Sequence, residues 1–389
     1  MSALPELSIV IPAYNEEKTI GLCVRAAAAA LKKTLPEGVA GEIVVADNRS
    51  TDATARIARE LGARVETVPL RGYGHALMAG IRSCRSPYVL FADADDSYDF
   101  GETGLYYEQL KAGCDFVVGN RFRGRIDPGA MPPLHRYLGT PVLTWLMNLF
   151  FRTGIGDVNC GMRAMTYAAF RRMRLRAGGM EFATEMIVKA SRLKLKIAEV
   201  PCTLRVDKRD RRPHLRTWRD GWRHLRFMLL FTPTWTFLVP GFGIQATGLA
   251  GMLFILWRDL FRPDFALALS QKHILSALLL FILGEQVVAF GLIAKMFTFS
   301  KHFDRASRVV RFLYRYFSLE KGLLAGLGLT AAGAGGLIFL FLSYFGRWEP
   351  AIADTVRIDI AVFAMASVLT GVQTIFLSFV LSFFYLRVK

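Results

Sequence analysis

Two acidic residues stand two positions apart in Asp93-Ala94-Asp95, directly after the apolar run of residues 88–92. Carboxylate oxygens are the ligands that Mg²⁺ and Mn²⁺ prefer, and a metal held there can bridge a diphosphate and neutralise the charge of a leaving group. The same string also occurs in solvated turns and helix caps. Because it ends an apolar run, we predict that Asp93 and Asp95 are metal ligands and catalytic residues.

Two other apolar runs, residues 7–12 and 42–46, also end in polar clusters. Short runs rich in β-branched residues predict buried strands, and the segments between them predict helices. Alternating strands and helices imply a mainly parallel sheet, in which ligands bind at the carboxyl ends of the strands. We therefore predict an α/β fold with a ligand site at that edge. Its polar clusters comprise Tyr14, Asn15, Glu16, Asp47, Asn48 and the Asp93/Asp95 pair.

A glycine-containing loop, residues 71–76, follows a third predicted strand at residues 64–68. Glycines such as Gly74 allow backbone N–H groups to approach phosphate or ribose. An ordinary loop in which His75 starts a helix is the alternative interpretation. A fifth strand is predicted at residues 116–119.

The chain changes character near residue 234, where long uncharged runs begin. Four of them are long enough to cross about 30 Å of hydrocarbon at 1.5 Å per residue. The connection between the second and third runs is the most basic, so the positive-inside rule places it, the front domain and both termini in the cytoplasm. This predicts an integral, multi-pass protein of the inner membrane. The predicted spans are residues 234–257, 274–297, 322–345 and 360–386.

The membrane half contains a weak internal repeat. Gly284-Glu285-Gln286 in the second span corresponds to Gly371-Val372-Gln373 in the fourth, which duplication of a helix pair would explain. An acidic residue inside a span is costly and is often functional. For Glu285 we favour a hydrogen bond between helices, with Gln286 as one possible partner.

Three domains are predicted: residues 1–212 as the cytoplasmic domain, 213–233 as a juxtamembrane helix and 234–389 as the membrane domain. The apolar segment at 139–151 is too short to span and predicts an interfacial helix. In the 213–233 segment, an apolar face is flanked by arginines, which predicts a helix lying in the lipid headgroup layer. Packing of this face on the cytoplasmic domain is the alternative. The face comprises Leu215, Trp218, Trp222, Leu225 and Leu229.

Residues 121–230 are strongly basic, which suits a site for phosphates or a surface on anionic lipid. Nucleic acid is disfavoured because this stretch runs directly into a membrane segment. All five cysteines lie in the front domain with no paired spacing. Their distribution predicts neither a disulfide framework nor a zinc site and fits a reducing compartment.

The motifs at 8–17, 47–52 and 93–95 together resemble those of family-2 glycosyltransferases with a GT-A fold. More narrowly, the chain resembles the branch that contains dolichol-phosphate mannose synthase and bacterial polyprenyl-phosphate glucosyltransferases. The resemblance covers residues 7–230, and some members carry four C-terminal spans. It implies inverting, metal-dependent transfer of one hexose from a UDP-glucose or GDP-mannose type donor to a polyprenyl (undecaprenyl or dolichyl) phosphate. Mg²⁺ or Mn²⁺ is the implied cofactor.

The resemblance also implies roles for individual residues. Asp157 and Arg205 join the metal pair as catalytic residues, because Asp157 lies near the acceptor and Arg205 near the reacting phosphates. Four arginines are implied to bind the acceptor phosphate: Arg121, Arg136, Arg163 and Arg205. The implied donor-binding residues are Pro12, Ala13, Tyr14, Asn15, Glu16, Asp47, Asn48, Gly74, Asp93, Ala94 and Asp95.

Two positions depart from the family pattern. Arg49 replaces a glycine, which leaves the identity of the donor open, and Ser97 stands where some members have an amide ligand to the metal. Two other functions remain open at this point. One is transfer to the hydroxyl of another membrane lipid, for which Asp157 would be the general base. The other is a non-catalytic membrane scaffold or transporter with a degenerate transferase domain.

Overall fold

The computed structural model describes residues 4–208, 217–262, 271–300, 308–316, 318–345 and 353–386. The front of the chain forms one seven-stranded sheet in the order β3-β2-β1-β4-β6-β5-β7. Its strands are β1 Leu7–Ala13, β2 Gly41–Asp47, β3 Arg64–Thr67, β4 Tyr88–Phe91, β5 Phe116–Asn120, β6 Arg163–Thr166 and β7 Ile197–Pro201. The five predicted strands are confirmed.

Strand β1 lies between β2 and β4, the two other strands whose carboxyl ends lead into the predicted ligand site. It pairs in parallel with β2 on one side and with β4 on the other. The apolar runs that predicted these strands are buried from Ile9 to Ile11, from Val44 to Ala46 and from Val89 to Phe91. Since all three strands run the same way, the polar segments that follow them emerge at a common edge.

Strands β6 and β7 were not predicted from the sequence. The four residues of β6 pair antiparallel with both β4 and β5, and β7 pairs in parallel with β5. Both sequences contain charged residues, as in Arg163 and Glu199, so the apolar pattern of a strand is missing. Their pairing with buried neighbours supplies the order that their own sequences do not signal.

Thirteen helices lie within the described residues. They are α1 Ile20–Thr34, α2 Thr54–Glu60, α3 Tyr73–Ser83, α4 Thr103–Lys111, α5 Thr140–Phe151, α6 Tyr167–Met173, α7 Phe182–Arg192, α8 Thr217–Leu230, α9 Val239–Phe261, α10 Gln271–Ser300, α11 Arg308–Tyr316, α12 Leu319–Phe345 and α13 Asp354–Leu386. Short π-helical turns precede α5 and α9, at His135–Gly139 and Thr234–Leu238.

The chain divides into two compact units, Met1–Met228 and Leu229–Lys389. Most of the predicted juxtamembrane helix therefore belongs to the first unit. The boundary predicted between 212 and 213, and Leu215 of the predicted apolar face, lie outside the described residues.

Four helices of the second unit are long and apolar enough to cross a membrane, and the four predicted spans are thereby confirmed. They are Thr234–Phe261, Lys272–Ser300, Leu319–Tyr344 and Asp354–Phe384.

The membrane helices pack as two pairs through glycines. A Cβ on Gly284 of α10 would lie 2.3 Å from the backbone nitrogen of Gln245 in α9, and a Cβ on Gly371 of α13 would lie 2.6 Å from the Gly326 oxygen in α12. The two glycines of the internal repeat therefore have the same role, since each allows its helix to pack closely on the preceding helix.

Polar side chains link α10 to α13. The hydroxyl of Thr370 donates to the carboxylate of Glu285 at 3.0 Å. The amides of Gln286 and Gln373 donate to each other at 3.2 and 3.3 Å. The predicted hydrogen bond of Glu285 between helices is present, but its partner is Thr370 rather than Gln286.

Gly284→Ala should destabilise the membrane unit, because the new methyl group would meet backbone atoms that cannot move independently. Overpacking costs about 1–3 kcal/mol, and each kcal/mol corresponds to about 2–4 °C for a unit of this size. We expect the melting temperature of the purified protein in detergent to fall by roughly 5 °C. Gly328→Ala is the matched control, because a Cβ there meets nothing within 4 Å. Equal melting of the two variants would contradict close packing at Gly284.

Candidate active site

The loops after β1 and β2 are joined by side-chain hydrogen bonds. The backbone nitrogen of Asn15 donates to the Ser50 hydroxyl at 2.9 Å, and the Asn15 side-chain oxygen accepts from the Thr51 nitrogen at 2.7 Å. The nitrogen of Glu16 donates to the Thr54 hydroxyl at 2.7 Å. Pro12 and Ala13 end β1 directly before these contacts. The structure thus brings together two segments that the sequence assigned to the donor.

Asn48 ties these loops to a third. Its backbone nitrogen donates to the Ala13 oxygen at 2.8 Å. Its side-chain amide donates to the Leu70 oxygen at 2.7 Å and accepts from the Gly72 nitrogen at 2.8 Å. Both ends of the amide are therefore engaged by protein. Asn48 holds the glycine-containing loop in place, and its role as a donor-binding residue stays a prediction.

Asp47 and Tyr14 flank this junction. One Asp47 carboxylate oxygen accepts from the Ser50 nitrogen at 3.3 Å, which closes the turn after β2. The guanidinium carbon of Arg71 lies 5.5 Å from the centroid of the Tyr14 ring, a distance typical of a cation–π contact.

Arg49 adopts a left-handed backbone conformation with a φ of 67°. This is the conformation for which glycine is suited, and a non-glycine residue there costs about 1–2 kcal/mol. The turn therefore keeps the backbone shape that the family's glycine would give. The substitution adds an exposed guanidinium to the donor loop.

The Asp93-Ala94-Asp95 segment leaves β4 at the same edge. One Asp95 oxygen accepts from the backbone nitrogen of Ser97 at 3.1 Å and from its hydroxyl at 2.6 Å. Ser97 thus orients Asp95 and occupies the place of the amide ligand found in some family members. A Cβ on Gly161 would lie 2.6 Å from an Asp93 oxygen, so a larger residue there would have to displace this carboxylate. Ala94 is buried between the two acids.

These features fit a divalent cation. Two carboxylates, one oriented by Ser97 and one accommodated by Gly161, offer oxygen ligands to Mg²⁺ or Mn²⁺, whose remaining positions suit phosphate oxygens and water. Within the described residues, no group of three or more His, Cys, Asp or Glu forms a cage of its own.

Tyr73 is a residue of this site that the sequence analysis missed. Burial, together with the nearby Asp93 carboxylate, raises the pKa of Tyr73 well above its usual value. The phenol consequently stays protonated at neutral pH. The only indication in the sequence is that Tyr73 lies in the glycine-containing loop, in which the glycines suggested a role and the tyrosine did not.

A strand-like segment at 203–208 crosses the metal loop. The Arg205 nitrogen donates to the Ser97 oxygen at 2.8 Å, and the Lys208 ammonium lies 2.7 Å from an Asp96 carboxylate oxygen. The guanidinium of Arg205 is half exposed and pairs with Asp99. Arg205 therefore lies beside the loop that carries Asp93 and Asp95, with Asp99 as a partner that the sequence did not reveal. Its contact with the reacting phosphates stays a prediction.

Asp157 and Arg121 form a buried ion pair with each other. The carboxylate of Asp157 is fully buried and accepts from the Arg121 guanidinium at 2.6 and 2.8 Å and from the Arg121 backbone at 3.2 Å. The Oδ1 atom of Asp157, which accepts the 2.8 Å bond from Arg121, also accepts from the Asn159 nitrogen at 3.1 Å. Both oxygens of this carboxylate are therefore engaged by protein donors. The catalytic role of Asp157 and the phosphate contact of Arg121 stay predictions.

Arg163 is likewise structural. Its guanidinium donates to the backbone oxygens of Cys160, Ala183 and Val158 at 2.7–2.9 Å, and the residue is 1% exposed. These bonds hold the loops around β6 together. Three of its five N–H groups are thus engaged within the protein, and binding of the acceptor phosphate by Arg163 stays a prediction.

Arg136 lies in the π-helical turn before α5, next to His135. Its guanidinium carbon lies 5.7 Å from the Tyr137 ring centroid. Burial and the nearby Arg121 lower the pKa of His135, so this imidazole adds little positive charge at neutral pH. Of the four predicted arginines, Arg136 and Arg205 keep partly exposed side chains.

Glu185 of α7 holds the loop that faces the glycine-containing segment. Its carboxylate accepts from the backbone nitrogens of Arg176 and Ala177 at 2.8–3.1 Å and pairs with the Lys189 ammonium at 2.7 Å. Gly74 packs on that loop, since a Cβ there would lie 2.1 Å from the Ala177 oxygen. Gly74 is therefore a close-packing residue as well as a predicted donor residue.

Two helices of this unit present aromatic residues to the outside. Trp145 of α5 and Trp218 and Trp222 of α8 are 61%, 81% and 57% exposed. On the other side of α8, His224 is buried and its ring nitrogen lies 2.6 Å from the Thr184 hydroxyl. The alternative in which the tryptophan face packs into the core is therefore excluded for Trp218 and Trp222.

Comparison with known proteins agrees with this architecture. Residues 8–178 match the glycosyl transferase family 2 domain, and residues 292–385 match the family's C-terminal transmembrane region. The chain is 35% identical to the low-salt glycan biosynthesis hexosyltransferase Agl6 of Haloferax volcanii, over 97% of this chain and 88% of that protein. The protein belongs to glycosyltransferase family 2, with a GT-A domain followed by four membrane helices.

Other relatives match shorter parts. The dolichyl-phosphate hexose transferase of Haloferax volcanii is 31% identical over 51% of this chain and 83% of that protein, and its glycosyltransferase AglJ is 30% identical over 77% and 96%. Among solved structures, glucosyl-3-phosphoglycerate synthase from Mycobacterium tuberculosis, in complex with Mn²⁺, UDP and its product, is similar with a TM-score of 0.45. The identity is 21%, over 58% of this chain and 79% of that one.

Asp157→Asn should destabilise the GT-A domain, because it leaves the buried Arg121 guanidinium without its counter-charge. Breaking a buried ion pair on one side costs about 3–5 kcal/mol. Asp127→Asn is the matched control, because Asp127 pairs with Arg125, which is 78% exposed, and such pairs contribute about 0–1 kcal/mol. We expect Asp157→Asn to lower the melting temperature of the purified protein by several degrees more than the control. Shifts of equal size would contradict the assignment of Asp157 to structure.

Proposed function

We propose that the protein transfers one hexose from a nucleotide-diphosphosugar to a polyprenyl phosphate, with inversion at the anomeric carbon, at the cytoplasmic face of the membrane. The observation that carries the proposal is the meeting of the metal pair, the two donor loops and the Arg205 segment at one edge of the sheet, in a chain with four membrane helices. Family membership supports a nucleotide-sugar donor.

Asp93 and Asp95 would hold Mg²⁺ or Mn²⁺. A bound metal supplies charge neutralisation to the diphosphate of the donor and so stabilises the departing nucleoside diphosphate. Ser97 keeps Asp95 oriented through two hydrogen bonds. The loops around Asn15 and Asp47 would receive the nucleoside.

The state of Asp157 supports a phosphate acceptor. A hydroxyl acceptor needs a general base, and the one candidate that the sequence offered is consumed by Arg121. A phosphate monoester has a second pKa of about 6, so its dianion attacks the anomeric carbon without help from a strong base. Direct attack of this kind inverts the configuration.

The main task of the protein is then to hold two anionic groups near each other. Two like charges 4 Å apart repel by about 4 kcal/mol at an effective dielectric constant of 20, which cations placed between them offset. Arg205 and Arg136 are the arginines available for this, since Arg163 is bonded to backbone oxygens and Arg121 to Asp157. On ligand binding, Arg205 would exchange Asp99 for phosphate.

The lipid part of the acceptor would be met at the membrane surface. The exposed Trp145, Trp218 and Trp222 are residues that favour the interface between headgroups and hydrocarbon. The named activity of the dolichyl-phosphate hexose transferase relative is consistent with a polyprenyl phosphate. The basic connection, which includes α11, supports a cytoplasmic catalytic domain and termini by the positive-inside rule.

Transfer of labelled sugar into organic-extractable lipid tests the proposal. Purified protein would be given undecaprenyl or dolichyl phosphate, Mg²⁺ or Mn²⁺, and separately UDP-glucose, UDP-galactose, UDP-N-acetylglucosamine or GDP-mannose. We expect labelled lipid with one donor and its loss on chelation. Donor binding without labelled lipid would redirect the search to a lipid hydroxyl, and absence of both would favour a degenerate transferase domain.

Asp95→Asn should lower turnover by about 100-fold or more, equivalent to a loss of roughly 2.7 kcal/mol or more of transition-state stabilisation. The change removes a charge from the metal pair but keeps the size of the side chain. Glu60→Gln is the control, because Glu60 forms an exposed pair with Arg56 on α2. Initial rates with saturating metal measure the effect, and a rate near wild type for Asp95→Asn would refute the metal assignment.

Trp218→Glu should impair use of a long-chain acceptor in liposomes, because a carboxylate at the interface opposes seating of α8 in the headgroup layer. With a short-chain acceptor in detergent, the same variant should work at a rate near that of wild type. Leu105→Glu is the control for a new charge at an exposed apolar position elsewhere, since Leu105 on α4 is 39% exposed. Equal losses with both acceptors would argue against a membrane role for Trp218.

A further inference from the structure

We infer that Lys208 binds the diphosphate of the nucleotide-sugar donor, and that Asp96 is the partner that its ammonium leaves when the donor binds. The inference rests on the proposed function, because it takes the donor to be a nucleotide-diphosphosugar that binds with a metal at Asp93 and Asp95. It gives a role to a lysine that neither the sequence motifs nor the family resemblance singled out.

The 203–208 segment runs antiparallel to the loop that carries the metal pair. The two backbones form an antiparallel β-bridge between Tyr98 and Leu204. Further along the segment, the backbone nitrogen of Lys208 donates to the Asp95 oxygen at 3.3 Å. The side chain of Lys208 therefore starts beside the backbone of a predicted metal ligand.

Two ion pairs join the side chains of these two segments. The ammonium of Lys208 lies 2.7 Å from an Asp96 carboxylate oxygen, and the guanidinium of Arg205 pairs with Asp99. Neither acid belongs to the metal pair. Two cations are thus held beside the metal pair by carboxylates other than its own.

The two partners in the pair of Lys208 and Asp96 differ in burial. The Lys208 side chain is 59% exposed, whereas the Asp96 side chain is 9% exposed. The carboxylate is therefore held by the fold, and the ammonium, at the end of a flexible four-carbon stem, is the partner that moves. Because an ion pair with an exposed member contributes little to stability, an incoming diphosphate takes the ammonium at small cost.

Binding of the donor with its metal changes the charge around Asp96 in the direction that releases Lys208. A divalent cation held by Asp93 and Asp95 brings two positive charges to the residue directly before Asp96, and so supplies the counter-charge that the ammonium gave. The same cation repels the ammonium, while the diphosphate oxygens attract it. Lys208 therefore exchanges the carboxylate for the diphosphate.

The position of Lys208 assigns it to the donor rather than to the acceptor phosphate. Its backbone is bonded to that of Asp95, and the metal at this pair is the ion that binds the donor diphosphate in the proposed function. The acceptor phosphate has Arg205 and Arg136 as its proposed cations.

Calorimetric titration of the purified full chain with UDP, and separately with GDP, at saturating Mn²⁺ tests the inference apart from turnover. Lys208→Met removes the charge and keeps most of the stem. We expect the Kd for the nucleotide to rise by about tenfold, as for the loss of one charge-assisted hydrogen bond. Lys208→Arg keeps the charge and should retain most of the affinity. Lys111→Met is the matched control, because the Lys111 ammonium also pairs with a carboxylate, that of Glu6 at 3.2 Å, next to the start of β1.

Asp96→Asn separates phosphate binding from a structural role of the ion pair, because it breaks the same pair and keeps the ammonium. Asparagine tolerates the left-handed backbone of Asp96, whose φ is 61°. We expect Asp96→Asn to bind the nucleotide at least as tightly as wild type does, since the ammonium is released. Equal weakening in Asp96→Asn and Lys208→Met would mean that the pair only holds the 203–208 segment in place, and would overturn the inference.

A Kd for Lys208→Met within about twofold of wild type also overturns the inference and leaves the proposed function intact. An effect of Lys208→Met confined to the KM for polyprenyl phosphate would move Lys208 to the acceptor, with the same consequence. If wild type binds neither UDP nor GDP with Mn²⁺, the donor assignment of the proposed function fails and the inference fails with it.

Discussion

Parallel pairing of β1 with both of its neighbours is the constraint on which the site depends. Because β2 and β4 run in the same direction as β1, the segments that follow all three strands leave the sheet at one edge. Burial of the apolar residues of the strands stabilises this arrangement, and it thereby fixes the position of the polar residues that follow each strand. Chemistry at this edge is therefore a consequence of burial elsewhere in the same strands.

Charge at the site is balanced by internal pairs. Arg205 pairs with Asp99 and Lys208 with Asp96 in partly exposed positions, whereas Arg121 pairs with Asp157 in a buried one. The degree of burial therefore distinguishes two roles that an ion pair can have. An exposed pair is weak and can exchange its partner for an incoming anion, while a buried pair is too costly to open and instead fixes the surrounding loops.

Most of the strands and the membrane spans could be predicted because each depends on a local pattern: an apolar run or some twenty uncharged residues. The hydrogen-bond partners of Asp157, Arg163 and Asn48 could not be predicted. Whether an arginine meets a phosphate or three backbone oxygens is decided by loops that are distant in sequence, such as those of Val158 and Ala183 around Arg163. Strand β6 could not be predicted for a related reason. Its pairing with β4 and β5, rather than an apolar pattern of its own, makes it a strand.

The reciprocal amide pair of Gln286 and Gln373 joins two positions that are equivalent in the internal repeat. Contacts in which a residue meets its own counterpart lie on a twofold axis, as in isologous dimers. The reciprocal contact is what the predicted duplication of a helix pair would produce. Each glutamine supplies the donor and the acceptor that the other needs inside a span, so replacing either one leaves both groups of its partner unmet, whereas Glu285 and Val372 occupy equivalent positions without such a dependence.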